Sequence, residues 1–352
     1  MEHDREAVRK RPGMYVGNTD NGDGVLQILW EVVGNAFDQY LQGLATSVQV
    51  RIEDNRVMVR DDGAGIAPFY EDGRPRLIPF ITEIRDTATA DGHFPHVHLV
   101  FGSSGLGLAP VSFLSKEFEL QTVWGGTRYR VHCRDGHLQG DLIDEGPDTG
   151  RGTTVSFSPD PAIFGCISYP LDHVKERLGH LAAFYPDYQV RFQGEAIRRP
   201  RGLLELLDEG TEGLTPLGEP LSVAGEARGI RVFCVWQWYP GERPRDGSVL
   251  SFLNHAVTVA HGTHVSGFLD CLRRELGEAA ETAGCDPAAF DPTQNVHAVI
   301  HAFMAEPRFG GPTRDHLKSP EVAEVMDHLV SARLKTLIAE KPTWFNRLLA
   351  GR

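Results

Sequence analysis

The sequence lacks any apolar run long enough to span a bilayer, for which a helix needs about 20 residues. Its start, MEHDREAVRKRPG, lacks the apolar core of a signal peptide. Cysteine is sparse. The five residues (Cys133, Cys166, Cys234, Cys271, Cys285) are scattered, odd in number and free of CxxC spacing. That argues against a zinc site or a disulfide framework and for free thiols in a reducing compartment, so the expected location is the cytoplasm. Basic charge is short as well: 35 Lys and Arg against 48 Asp and Glu give a formal net charge of −13. This disfavours a broad surface for nucleic acid or anionic membrane but leaves room for a local basic groove. There is no GK[ST] of a Walker loop, and no GxGxxG directly after a first strand. Repeats and low-complexity segments are missing too.

What is present suits a globular protein with real cores: 352 residues, 41% hydrophobic and 24% charged. VLQILWEVVGNAFDQYLQGL (25–44) has helical apolar spacing, with Gly43 as its stop. Val48/Val50/Ile52 and Val57/Val59 alternate around EDN (53–55) and read as a β-hairpin. EFELQTVWGGTRYRVHC (117–133) reads as a second hairpin about Gly125-Gly126, and TTVSFSP (153–159) as a strand. Near 200–225 the composition shifts to Gly, Pro and Glu. The fold class is α+β, with two domains in series over 1–205 and 206–352.

The polar residues of the first helix raise the functional question. Glu31, Asn35 and Asp38 stand at i, i+4 and i+7, on one face. Alone they read as a solvated stripe. Asp61 opens DDGAGI (61–66) and shares the inward parity of Val57 and Val59. A buried carboxylate needs a donor, and an adenine amine is one. Gly63 and Gly65 let the chain turn and a flat ligand come close. GSSGLGLA (102–109) offers successive backbone N–H groups leading into a helix, as a phosphate cradle does. Each motif is weak by itself. His93, His96 and His98 of HFPHVH lack an evident fourth metal ligand and read as a loop.

In this order, ExxxN on a helix, DxGxG after a strand and GxxGxG before a helix resemble the Bergerat-type ATP site. EAVRKRPGMYVGNTD (6–20), GTTVSFSPDPAIF (152–164), GTHVSGF (262–268) and PTRDHL (312–317) narrow the resemblance to the ATPase half of the DNA gyrase B and topoisomerase IV B family. It runs from residue 6 to about 340. It implies a Bergerat-type α/β sandwich followed by a transducer domain of ribosomal-protein-S5-like fold, with ATP and Mg²⁺ as ligands. Glu31 is then the general base and Asn35 the Mg²⁺ ligand. Asp61 takes the adenine amine, with Gly63, Gly65, Ile66 and Thr153 around it. Gly102, Ser103, Ser104, Gly105, Leu106, Gly107 and Leu108 wrap the triphosphate, residues 67–101 form a lid, and Arg314 meets the γ-phosphate.

Departures from the family pattern qualify these roles. A carboxylate–arginine pair expected at 39 and 64 is Gln39 and Ala64. The aspartate expected before Asn35 is Gly34, and the transducer's Gln-Thr-Lys is Pro312-Thr313-Arg314. The arm before EAVRKRPG is short, and no metal-binding cleavage domain follows. The expectation is therefore a chain without DNA cleavage of its own. Three functions stay open: an ATP-operated clamp that homodimerises and serves a separate partner, a nucleotide-sensing module with little turnover, and a degenerate paralogue acting as scaffold. The sequence does not assign a contact with DNA.

Overall fold

The computed structural model describes residues 2–84, 107–239, 249–286, 290–311 and 315–350. The chain forms two compact units that divide between Pro200 and Arg201.

The first unit contains α1 (Glu2–Lys10), α2 (Gly13–Val16), α3 (Asp23–Leu41), β1 (Ser47–Glu53), β2 (Arg56–Asp61), α4 (Leu77–Thr82) and α5 (Leu108–Phe113). It continues with β3 (Ser115–Trp124), β4 (Thr127–Arg134), β5 (His137–Leu138), β6 (Ile143–Pro147), β7 (Gly152–Pro159), α6 (Leu171–Phe184), β8 (Gln189–Phe192) and β9 (Glu195–Ile197). Among the described residues the strands form one nine-stranded sheet, β5-β4-β3-β7-β2-β1-β8-β9, with β6 on β4. The expected hairpins are both present: β1 pairs with β2 (Val50 opposite Val59) and β3 with β4 (Leu120 opposite Val131). The apolar face of α3 (Val25, Ile28, Leu29, Val32, Val33, Ala36, Phe37) is buried with the inward residues of β1, β2, β3 and β7 in one core. The N-terminal segment, given no structure by its sequence, is the helix α1. Arg9 ties it down, donating to the Phe113 carbonyl at 2.8 Å and pairing with Asp160.

The second unit contains α7 (Leu203–Glu209), β10 (Leu221–Ala227), β11 (Ile230–Trp238), β12 (Val249–Leu253), β13 (Ala256–Val257), α8 (Thr263–Thr282), β14 (Val296–Phe303), α9 (Pro320–Glu340) and α10 (Pro342–Ala350). Its described strands are ordered β10-β11-β14-β12-β13, with β12 parallel to β14. The long helices α8 and α9 share a core with one face of this sheet, through Phe268, Leu272, Met326, Val330, Trp236 and Trp238. The tryptophan pair is therefore core. Two segments carry structure that the sequence reading left unassigned. The stretch read as a change of composition holds α7 and β10, because Leu203, Leu206 and Leu207 fall at helical spacing and bury. The chain after Lys341 is the helix α10, anchored by Trp344, Phe345, Leu348 and Leu349.

Candidate nucleotide site

The first unit carries a cavity of about 300 Å³ between α3 and the sheet. Six of the residues singled out from sequence line it: Asn35, Asp61, Gly65, Ile66, Leu108 and Thr153. Asn35 comes from α3, Asp61 from the last position of β2, and Thr153 from β7, which neighbours β2 in the sheet. Gly102, Ser103, Ser104, Gly105, Leu106 and Arg314 lie outside the described residues, as do His93, His96 and His98.

Asp61 faces inward as its strand parity requires and is 6% exposed. Its Oδ1 accepts the Gly63 amide at 2.7 Å and the Thr153 amide at 3.2 Å. Burial pushes its carboxyl up to about 6, against the pull of those two N–H groups. Asp62 goes the other way. Burial opposes ionisation there too, but hydrogen bonds from Thr46 and Ser47 win, and its carboxyl lies below the usual range. Adjacent carboxylates are thus separated by environment, and the one at the cavity is the harder to ionise.

The backbone after Asp61 has room for glycine alone at two points. A Cβ on Gly63 would fall 2.7 Å from Asp61 Oδ1 and 2.9 Å from Gln39 Oε1. Gly65 has φ +79°, and its Cβ would stand 2.2 Å from the Val123 carbonyl oxygen. This close approach lets the Ile66 amide donate to Thr122 Oγ1 at 2.7 Å, fixing one wall of the cavity.

The polar face of α3 is not a solvated stripe. Glu31 is fully buried, Asp38 is 6% exposed and Asn35 is half-buried. Glu31 Oε1 accepts the Gly107 amide at 2.7 Å, so the helix carboxylate holds the end of the glycine-rich segment just before α5. Asn35 Nδ2 donates to the Glu31 carbonyl at 2.9 Å, one turn back. Its amide oxygen takes no part in that bond. Among the described residues no group of three or more His, Cys, Asp or Glu could hold a metal ion.

Further residues complete the wall. Val59 and Val155, which face each other across β2 and β7, line the cavity with Val32 and Ala36. Phe80 reaches it from α4, Arg76 from the position just before that helix, and Trp124 from the end of β3. Alternation signalled Val59 and Val155. Arg76 and Phe80 fall inside the stretch 67–101 expected as a lid, while for Trp124 chain order carried no such signal. Gln39 and Ala64, the departures from the charged pair, both line the cavity, and Gln39 Oε1 is buried without a hydrogen-bond partner among the described residues.

Residues 20–163 match the family described as histidine kinase-, DNA gyrase B- and HSP90-like ATPase, and residues 202–351 the family DNA gyrase B. The chain belongs to the DNA gyrase B and topoisomerase IV B family. It is 31% identical to the DNA gyrase B protein of Enterococcus faecalis over 96% of its own length and 55% of that protein. It is 29% identical to the DNA topoisomerase 4 B protein of Mycoplasma genitalium over 92% and 53%. The chain thus spans about half the length of these curated relatives. Among solved structures, the 43K ATPase domain of Thermus thermophilus gyrase B superposes with a TM-score of 0.80 at 25% identity, over 99% of this chain and 93% of that one. The DNA gyrase B protein of Myxococcus xanthus gives 0.78 at 26% identity, over 99% of both chains. The family's architecture, an ATPase unit of Bergerat type followed by an S5-like transducer, is that of this chain.

Proposed function

We propose that the cavity binds Mg·ATP and that slow hydrolysis drives a conformational or dimerisation switch. One observation carries this reading: Asn35, Asp61 and Thr153 line a single cavity, while Glu31 beside it holds the Gly107 amide. Asp61 would accept the adenine amine, since its Oδ1 is already bonded to two backbone N–H groups and the carboxylate keeps further acceptor capacity. Gly63, Gly65 and Ile66 keep the wall thin enough for a flat base. Gly107 and Leu108 would face the phosphates.

The residues present fit Mg²⁺, which prefers oxygen ligands and keeps several waters, because Asn35 offers one amide oxygen and no competing acidic cluster is present among the described residues. When bound, the ion supplies charge neutralisation on the phosphate oxygens. Glu31 would accept the proton of the attacking water, and burial in α3 fixes the direction of its carboxylate. The chain's output would pass to a second copy of itself and to a separate partner supplying DNA cleavage or another effector activity. No described helix is long and apolar enough to cross a membrane.

The second reading is a nucleotide sensor with little turnover. It is favoured by Glu31 Oε1 being engaged by the Gly107 N–H. Phosphate release separates the two. The ATPase reading expects Glu31→Ala to lower the rate by about 10²–10⁴-fold with ATP still bound. Equal rates in wild type and variant would overturn it in favour of the sensor.

A further inference from the structure

The cavity has an aromatic ring at its open end that the hydrolytic roles leave unused. Trp124, the last residue of β3, lines the cavity and is 43% exposed. The other four tryptophans, Trp30, Trp236, Trp238 and Trp344, are buried. Exposed and lining the cavity at once, the Trp124 indole offers a flat apolar face to a ligand that enters it.

Its position follows from the same contacts that shape the cavity wall. The backbone at Gly65 and Ile66 runs against Thr122 and Val123. Strand alternation places the Trp124 side chain on the sheet face of Thr122. Thr122 stands opposite Thr153, whose amide donates to Asp61. Trp124 is two residues along β3 from Thr122, and the carboxylate on β2 and the indole both line the one cavity. The turn at Gly125 and Gly126 follows directly, and the tryptophan stays 43% exposed.

We propose that Trp124 is a ligand-contact residue that makes the rim of the cavity a stacking shelf, so the site selects flat heteroaromatic ligands whose amine-bearing edge reaches Asp61. The assignment rests on the nucleotide reading above and adds a division of labour to it. Asp61 reads the polar edge of the ring, and Trp124 reads its flatness. Stacking tolerates any base, because every base has a π-face. Loss of the indole therefore weakens every flat ligand and leaves a bare polyphosphate untouched.

The test uses the full chain, with Mg²⁺, ATP and inorganic triphosphate as probes and equilibrium dialysis as the independent measure of binding. Bound ATP is expected to shield the indole emission from acrylamide, and Trp124→Phe to remove that shielding signal while binding ATP nearly as wild type does. Trp124→Ala is expected to weaken ATP about five- to tenfold or more and to leave triphosphate affinity unchanged. Dialysis showing ATP bound, with quenching unaltered and Trp124→Ala binding like wild type, overturns this assignment and spares the nucleotide site. Equal losses for ATP and triphosphate in Trp124→Ala also overturn it. If dialysis shows no ATP bound at millimolar concentration, both readings fall.

Discussion

In the first unit the buried carboxylates Glu31 and Asp61 lie at or beside a cavity, and they accept from the backbone N–H groups of Gly107, Gly63 and Thr153. In the second, Ser251, Thr258 and His264 are buried as deeply but bond to one another. Ser251 Oγ lies 2.7 Å from Thr258 Oγ1, Thr258 Oγ1 lies 3.0 Å from His264 Nε2, and Ser251 Oγ lies 2.9 Å from His261 Nδ1. Burial, helped by His261 and His316, pushes His264 down to about 3, so its imidazole is neutral across the physiological range. Equal burial thus serves two purposes. A network of side chains bonded to one another holds strands and helix together. A buried carboxylate beside a cavity is a cost that a ligand's donor relieves.

Two substitutions break or sharpen this contrast. The larger effect is expected at Asp61. Its carboxyl goes from 3.8 to about 6 on folding, because burial disfavours the charge. The cost of ionising it is absent below the unfolded value, grows as pH rises, and is full above 6. Asp61→Asn should therefore raise stability at pH 7 by about 3 kcal/mol, at 1.36 kcal/mol for each pKa unit, and by nothing at pH 3. Urea denaturation of wild type and variant at both pH values reads this directly. An unchanged midpoint at pH 7 would remove the strain from the account. The smaller effect is expected at Thr258→Val, which takes the shared hydroxyl from Ser251 and His264. A loss of about 1–3 kcal/mol, with nucleotide affinity unchanged, is the outcome that fits a structural network. A nucleotide effect without a stability effect would dissolve the distinction between the units.

Much of this was legible in the residues. Strand parity pointed Asp61 inward, and helical spacing put Glu31, Asn35 and Asp38 on one face of α3. Whether that face met solvent or a cavity could not be read from spacing, because a stripe of polar residues looks the same in both cases. The sheet decides it by bringing β2 and β7 under the helix. Helices α7 and α10 were missed although Leu203/Leu206/Leu207 and Trp344/Phe345/Leu348/Leu349 carry a helical pattern. Both are short, and local Gly and Pro outweighed a pattern of two turns. Arg76 and Phe80 lie within the stretch expected as a lid, whereas Trp124 enters the cavity from the end of β3 through tertiary proximity, which has no local signal.

The central claim is that Asp61 recognises an adenine nucleotide in its ionised form. Equilibrium dialysis with ATP and Mg²⁺, run at pH 7 and pH 5 on wild type and Asp61→Asn, tests it most directly. The account predicts binding by wild type at pH 7, an affinity about tenfold lower at pH 5 as the carboxyl takes up its proton, and a loss of about tenfold or more in the variant at pH 7. Wild type and variant binding ATP equally at pH 7, or neither binding it at millimolar concentration, would contradict it.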